Sequence, residues 1–144
     1  MIPGAEAQAL FASYHAKLPM IKGTLTRASN LARSRGYVKT ITGRRIRFPN
    51  PGKSYKAGGV VFQGTSADIM KAKKNEIMRR FRGTDVKLIL LVHDEFDLLA
   101  PEDQAKDAAN EVKEILQTVP QLRVPILSEV GIGDNWYEAG ENQI

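Results

Sequence analysis

An α+β fold, with helices packed on antiparallel strands, is what this sequence predicts. Apolar residues recur at helical spacing in three long stretches, and two segments alternate in strand fashion about tight turns. No β-α-β series is present, so a doubly wound parallel sheet is excluded.

From about Glu6 to Ser34, Leu10, Tyr14, Leu18, Ile21, Leu25 and Leu31 form one apolar stripe. Pro19 interrupts it and predicts either a kink or a break into two helices, with Gly36 placed to stop the second. Tyr37 to Ile41 and Arg44 to Phe48 then alternate about Thr42-Gly43, which predicts a β-hairpin with one strongly basic face. Asn50 to Ser54 reads as a loop. Lys56 to Arg82 returns to helical spacing, with close backbone approach at Gly64 and Ala67 and a weak start at Gly58-Gly59.

Leu88 to Leu99 is the most informative stretch. His93, Asp94 and Glu95 interrupt an apolar run too short for a typical helix. This pattern predicts two buried strands joined by a turn that presents the three ionisable residues. Pro101-Glu102-Asp103 opens a helix to about Thr118, its acidic first turn matching the helix dipole. Val124 to Val130 reads as a last strand, and Gly131 to Trp136 leads into the tail.

The chain has 144 residues, enough for one domain with a real core, and its 42% hydrophobic and 26% charged composition argues against disorder. It has no cysteine, which excludes disulfides and thiolate metal sites. There is no apolar run of membrane-spanning length, and the first residues lack signal-peptide character. A cytoplasmic location with no membrane partner is the expectation. The net charge of +5 is unevenly spread: every charged residue from Lys17 to Arg47 is basic, whereas Asp94 to Glu114 is mainly acidic. A one-sign block of this kind either faces a polyanion or forms a solvated basic face.

Carboxylates on a rigid hairpin suit a metal-dependent phosphoryl-transfer site, because magnesium prefers hard oxygen ligands. Adjacent strand residues point to opposite faces, so Asp94 and Glu95 share one metal only if a turn relaxes the alternation. A polar hairpin tip without function is the alternative.

Four ordered blocks resemble the family A DNA polymerases, the Klenow-type group that includes many phage enzymes. Val92-His93-Asp94-Glu95 resembles the family's motif C. Gly36 to Pro49 resembles its GYVxTxxGRRRxxP hairpin, and Gln63 to Lys71 its QGxAADIxK helix. Val124 to Gly131, with Asn135-Trp136 and Ala139, resembles its C-terminal strand and tail. The resemblance implies an antiparallel palm-type sheet within an incomplete polymerase domain: residues 1–55 as the end of the fingers with the basic hairpin, and residues 56–144 as a palm portion.

Residue by residue, the resemblance makes Asp94 the second metal-binding catalytic aspartate and Glu95 its less critical acidic neighbour. It places His93 next to the primer terminus and Gln63 on the DNA minor groove. The groove shows acceptors at common positions for every base pair, so a neutral donor there checks pair shape without reading sequence. Arg44, Arg45 and Arg47 would be phosphate-contacting or packing residues, the alternative being a solvated hairpin, and Lys56 and Lys71 are similar. Trp136 is expected in the core or a lid, and Tyr14 and Tyr37 in packing.

Gly59 stands where the family often has asparagine, and Ser66 where alanine is commoner. The family's first catalytic aspartate (motif A, DYSQIE-like) and its nucleotide-gripping fingers helix (motif B, RxxxKxxxFGxxYG) do not occur in this sequence. The resemblance therefore implies the C-terminal subunit or fragment of a split DNA-directed DNA polymerase. It would act with an N-terminal polypeptide bearing motifs A and B, on primer-template DNA and dNTP with Mg2+, inside a bacterial or phage-infected cell. The alternatives are a non-catalytic DNA-binding module on a palm scaffold, and a fragment of a single-subunit RNA polymerase. Glu95 argues against the latter, where serine typically follows His-Asp.

Overall fold

The structure is a computed structural model that describes residues 4–120 and 122–142. Helices α1 (Gly4–Lys17) and α2 (Pro19–Arg35) come first, then strands β1 (Tyr37–Lys39) and β2 (Arg45–Arg47) and a 3-10 helix (Pro51–Lys56). Helix α3 (Ala57–Arg80), strands β3 (Lys87–Val92) and β4 (Glu95–Leu99), and helices α4 (Glu102–Gln117) and α5 (Trp136–Glu141) complete it. Two compact units divide within α3: Met1–Ser66 and Ala67–Ile144.

In the first unit the helical stretch does break at proline. Pro19 occupies the start of α2, where its missing N–H costs nothing. Gly36 ends that helix in the left-handed conformation at φ 73°, its N–H donating to the Ala32 carbonyl. The chain then enters the expected hairpin, in which Tyr37 pairs with Arg47, Val38 with Ile46 and Lys39 with Arg45. Its turn closes through Gly43 N–H to the Thr40 carbonyl at 3.0 Å, with Gly43 at φ 88°.

Ala32, Val38 and Ala57 form the buried centre of this unit, flanked by Ala28, Leu31, Ile46, Phe48 and Val61. Small residues predominate because backbones approach closely here. A Cβ on Gly64 would lie 2.7 Å from Ile46 Cδ1 and 3.1 Å from Thr40 Cγ2, so the first turns of α3 can press on the hairpin only with glycine there. The segment expected as a loop after Phe48 is instead the 3-10 helix. Asn50 caps it by accepting from the Gly52 N–H at 2.9 Å, and Pro51 supplies a pre-set φ at its start. The apolar stripe of α1 buries no residue, and Leu10, Tyr14, Leu18 and Ile21 stay exposed.

In the second unit, Gly83 at φ 81° turns the chain out of α3 towards β3. β3 and β4 pair antiparallel from Lys87/Leu99 to Val92/Glu95, with an irregularity between Leu88 and Leu90. The expectation of buried strands fails. Leu90 is 55% and Leu99 60% exposed, and Ile89, Leu91 and Val92 are exposed as well. The sheet holds two strands, so among the described residues no third strand flanks it. The predicted strand over 124–130 also does not form. Pro125 offers no N–H, and no described strand runs beside it.

Helix α4 buries Ala108 and Val112, and Arg80 is bonded to Glu111 between α3 and α4. The tail then folds back on itself. Asn135 caps α5 by accepting from the Glu138 N–H at 3.0 Å, while the Glu138 carboxylate accepts from Asn135 Nδ2 at 2.9 Å and from the Asp134 N–H at 3.2 Å. Ile132 N–H donates to the Asn142 carbonyl at 3.3 Å. Among the described residues no helix is long and apolar enough to cross a membrane.

Candidate active site and nucleic-acid interface

The turn between β3 and β4 consists of His93 and Asp94, with Val92 and Glu95 as its closing pair. His93 takes φ 54°, a left-handed conformation that a residue with a Cβ adopts at a cost. Such strain concentrates at functional sites, where surrounding structure holds it in place. His93, Asp94 and Glu95 are all exposed.

The turn resolves the geometric question that the sequence left open. Asp94 stands in the turn itself and Glu95 is the first residue of β4, so strict strand alternation does not govern the pair. Their surroundings differ too. Trp136 Nε1–H donates to Glu95 Oε1 at 2.5 Å, whereas Asp94 is an exposed residue of the turn. Two residues further along β4, and hence on the same face as Glu95, lies half-buried Asp97.

Burial pushes the Asp97 carboxyl above the ordinary value of 3.8, and the charge and hydrogen bonding of Glu95 push it the same way. With the folded pKa above the unfolded one, the folded chain holds this proton more tightly. Its contribution to stability is therefore full below about pH 3.8 and declines as pH rises through the folded value. Asp97→Asn is expected to raise the melting temperature at pH 7 and to give no gain at pH 3. Thermal unfolding followed across that range checks it; an equal gain at both pH values would exclude the electrostatic cause.

The other sequence-predicted site residues lie in the first unit. Gln63 is exposed on α3. Arg44 Nη2 donates to the Gly64 carbonyl at 3.1 Å, and the Ile41 N–H donates to Thr65 Oγ1 at 3.2 Å, so the basic hairpin is pinned to the first turns of α3 beside Gln63. The Arg45 guanidinium lies 4.9 Å over the Tyr37 ring, and Lys56 Nζ lies 5.8 Å from the Tyr55 ring centre. Arg44, Arg45, Gln63 and Lys56 thus belong to one unit, and His93, Asp94 and Glu95 to the other.

Trp136, expected in the core or a lid, does not lie in the core. It is 68% exposed and bonded to Glu95. The Asn135…Glu138 capping pair is a sequence signal for a helix beginning at this tryptophan, but nothing in the sequence names its partner.

Among the described residues no group of three or more His, Asp or Glu side chains is placed to hold a metal ion. Asp94 can offer hard oxygen ligands from an exposed turn, but a complete coordination shell needs further ligands from substrate or from other residues.

Comparison with known proteins gives this arrangement a lineage. Residues 1–138 match DNA polymerase family A. The chain is 40% identical over 137 residues to DNA polymerase DpoZ of Vibrio phage phiVC8, covering 94% of this chain and 21% of that one. It is 35% identical over 149 residues to the thermostable DNA polymerase I of Thermus aquaticus, covering 97% and 18%. The POL domain of Pol1 from M. smegmatis, solved in complex with DNA primer-template and dNTP, superposes with a TM-score of 0.89 at 26% identity, covering 96% of this chain and 26% of that one. The chain spans about a fifth of the length of these two polymerase relatives. With a strained His-Asp turn between paired strands, a basic hairpin pinned to a glutamine-bearing helix, and a family match from residue 1 to 138, the chain belongs to DNA polymerase family A.

Proposed function

We propose that this chain contributes Asp94, a metal-binding aspartate, to DNA-directed DNA synthesis in an active site completed by residues outside it. The observation that carries the reading is the exposed His93-Asp94 turn, in a sequence that contains no DYSQIE-like or RxxxKxxxFGxxYG motif. On this reading residues 1–55 are the end of the fingers and residues 56–144 a palm portion. An N-terminal polypeptide bearing motifs A and B supplies the rest. The ligands of the M. smegmatis relative, DNA primer-template and dNTP, are the substrates proposed here. The setting is the cytoplasm of a bacterial or phage-infected cell.

Asp94 fits the role of a Mg2+ ligand because its carboxylate is a hard donor on a tip set by the Val92/Glu95 pair. Divalent cations held there would lower the pKa of the primer 3′-hydroxyl and neutralise charge on the nucleotide phosphates. His93 orients the primer end. Glu95, tied to Trp136, supports the turn. Gln63 donates into the minor groove, and Arg44, Arg45 and Lys56 contact backbone phosphates, fixing register without reading sequence.

The test is primer extension in Mg2+ by this chain, by a polypeptide carrying the first aspartate and the fingers helix, and by the two mixed. Neither alone is expected to extend a primer, and the mixture is. Extension by this chain alone would overturn the need for a partner. A mixture that binds DNA with steep salt dependence but never extends would favour the non-catalytic DNA-binding module.

A further inference from the structure

We propose that Trp136 is a positioning residue for the hairpin tip. By holding Glu95 Oε1 through its indole N–H, it fixes the first residue of β4 and, through it, the turn that carries Asp94. The catalytic meaning of this inference rests on the role proposed for Asp94; the clamp itself does not.

Three observations support it. The bond joins an N–H donor to a carboxylate, the strong kind of protein hydrogen bond. Trp136 is 68% exposed, so burial of apolar surface does not account for its placement. The residue is also held from behind: the Asn135/Glu138 cap fixes the start of α5, and Gly131 and Gly133 lie so close to Ala139 that a Cβ added at either would collide with it. The segment 131–142 is thus a small braced unit that presents one N–H to one carboxylate 41 residues away.

The clamp acts where the backbone has least help. The turn carries a left-handed His93, its sheet has two strands, and Val92/Glu95 is the last pair before the tip. A bond to Glu95 restrains that pair directly. An exposed hydrogen bond adds little to global stability because water competes for both groups. Its consequence is therefore local, in the order of the tip.

The chain has a single tryptophan, so one indole N–H resonance reports on the clamp. In the full chain, Glu95→Ala is expected to move that resonance upfield and to make its exchange with solvent roughly tenfold faster, as loss of a charge-assisted bond implies. Glu95→Gln, which keeps an oxygen acceptor, should retain part of the shift, and Asp94→Asn should leave the resonance in place. Trp136→Phe should speed amide exchange at Val92 and Glu95 by a similar factor while the amides around Gly64 are unchanged. An indole resonance identical in the parent chain and in Glu95→Ala would overturn the clamp.

In the mixture that extends primers, Trp136→Phe should lower kcat while leaving the KM for nucleotide unchanged. An unchanged kcat would overturn positioning even with the clamp present. Full primer extension by Asp94→Ala would instead overturn the role of Asp94 and leave the resonance data standing, so the two failures are distinguishable.

Discussion

Asp94→Ala is expected to lower primer extension by the mixed polypeptides by about 10³-fold or more, because losing the metal ligand proposed here would remove several kcal/mol of charge stabilisation from the transition state. The fold itself should be unaffected. Asp94 is exposed in a two-residue turn whose backbone conformation is set by His93 and by the Val92/Glu95 pair. Melting temperature and indole resonance should therefore match the parent chain. Removing one negative charge near a polyanion should leave primer-template affinity equal or slightly higher. The measurement is single-turnover extension at saturating DNA with affinity determined separately. A variant that loses binding and rate together would place Asp94 in DNA docking rather than in the chemistry. Extension at the parent rate would remove Asp94 from the site altogether.

Gly131→Ala is expected to have the largest effect on stability. A Cβ there would lie 1.7 Å from the Ala139 carbonyl oxygen, 2.8 Å from its carbonyl carbon and 3.2 Å from the Asn142 oxygen. All three are backbone atoms, so no rotamer change relieves the clash. The segment must open, giving up the Ile132–Asn142 bond and the seat of α5, at a cost of about 3 kcal/mol. Amide exchange and the indole resonance should show local opening of the tail with α4 intact. Gly58 offers a comparison, since the obstacle to its Cβ is the Leu25 side chain, with Cδ2 at 2.2 Å. Gly58→Ala should therefore cost less. Gly59 has nothing within 4 Å on helix α3, and Gly59→Ala should stabilise by about 0.5–1 kcal/mol. Denaturant unfolding of the three variants orders them; a Gly131→Ala chain as stable as Gly59→Ala would show that the tail does not close in this way.

The elements legible in the sequence are those set by near neighbours. Pro19 and Gly36 bound α2, Gly43 marks the basic hairpin, and the polar break at 93–95 marks the second one, because helix ends and tight turns depend on local backbone preferences. Asn50-Pro51 carried the cap and start of a 3-10 helix, but a six-residue element differs little in composition from a loop. Leu90 and Leu91 read as buried because strand apolarity implies a partner surface; the exposure of both faces of β3 in this chain cannot be read from the strand itself. Val124 to Val130 has strand composition, yet a strand exists only where another lies alongside.

The candidate site divides along the same line. The sequence by itself determined the identities and order of His93, Asp94, Glu95 and Gln63, the basic character of the hairpin, and the family resemblance that assigns them roles. Only the tertiary structure decided that Asp94 occupies the turn while Glu95 is bound by Trp136, that Arg44 ties the hairpin to the Gly64 carbonyl, and that Arg45 stacks on Tyr37. The reason is range. Turn and helix preferences act within a few residues and leave a pattern in the sequence, whereas the Trp136–Glu95 and Arg44–Gly64 bonds join residues 41 and 20 positions apart. Such contacts exist only after the chain has folded, and neither partner's identity specifies the other.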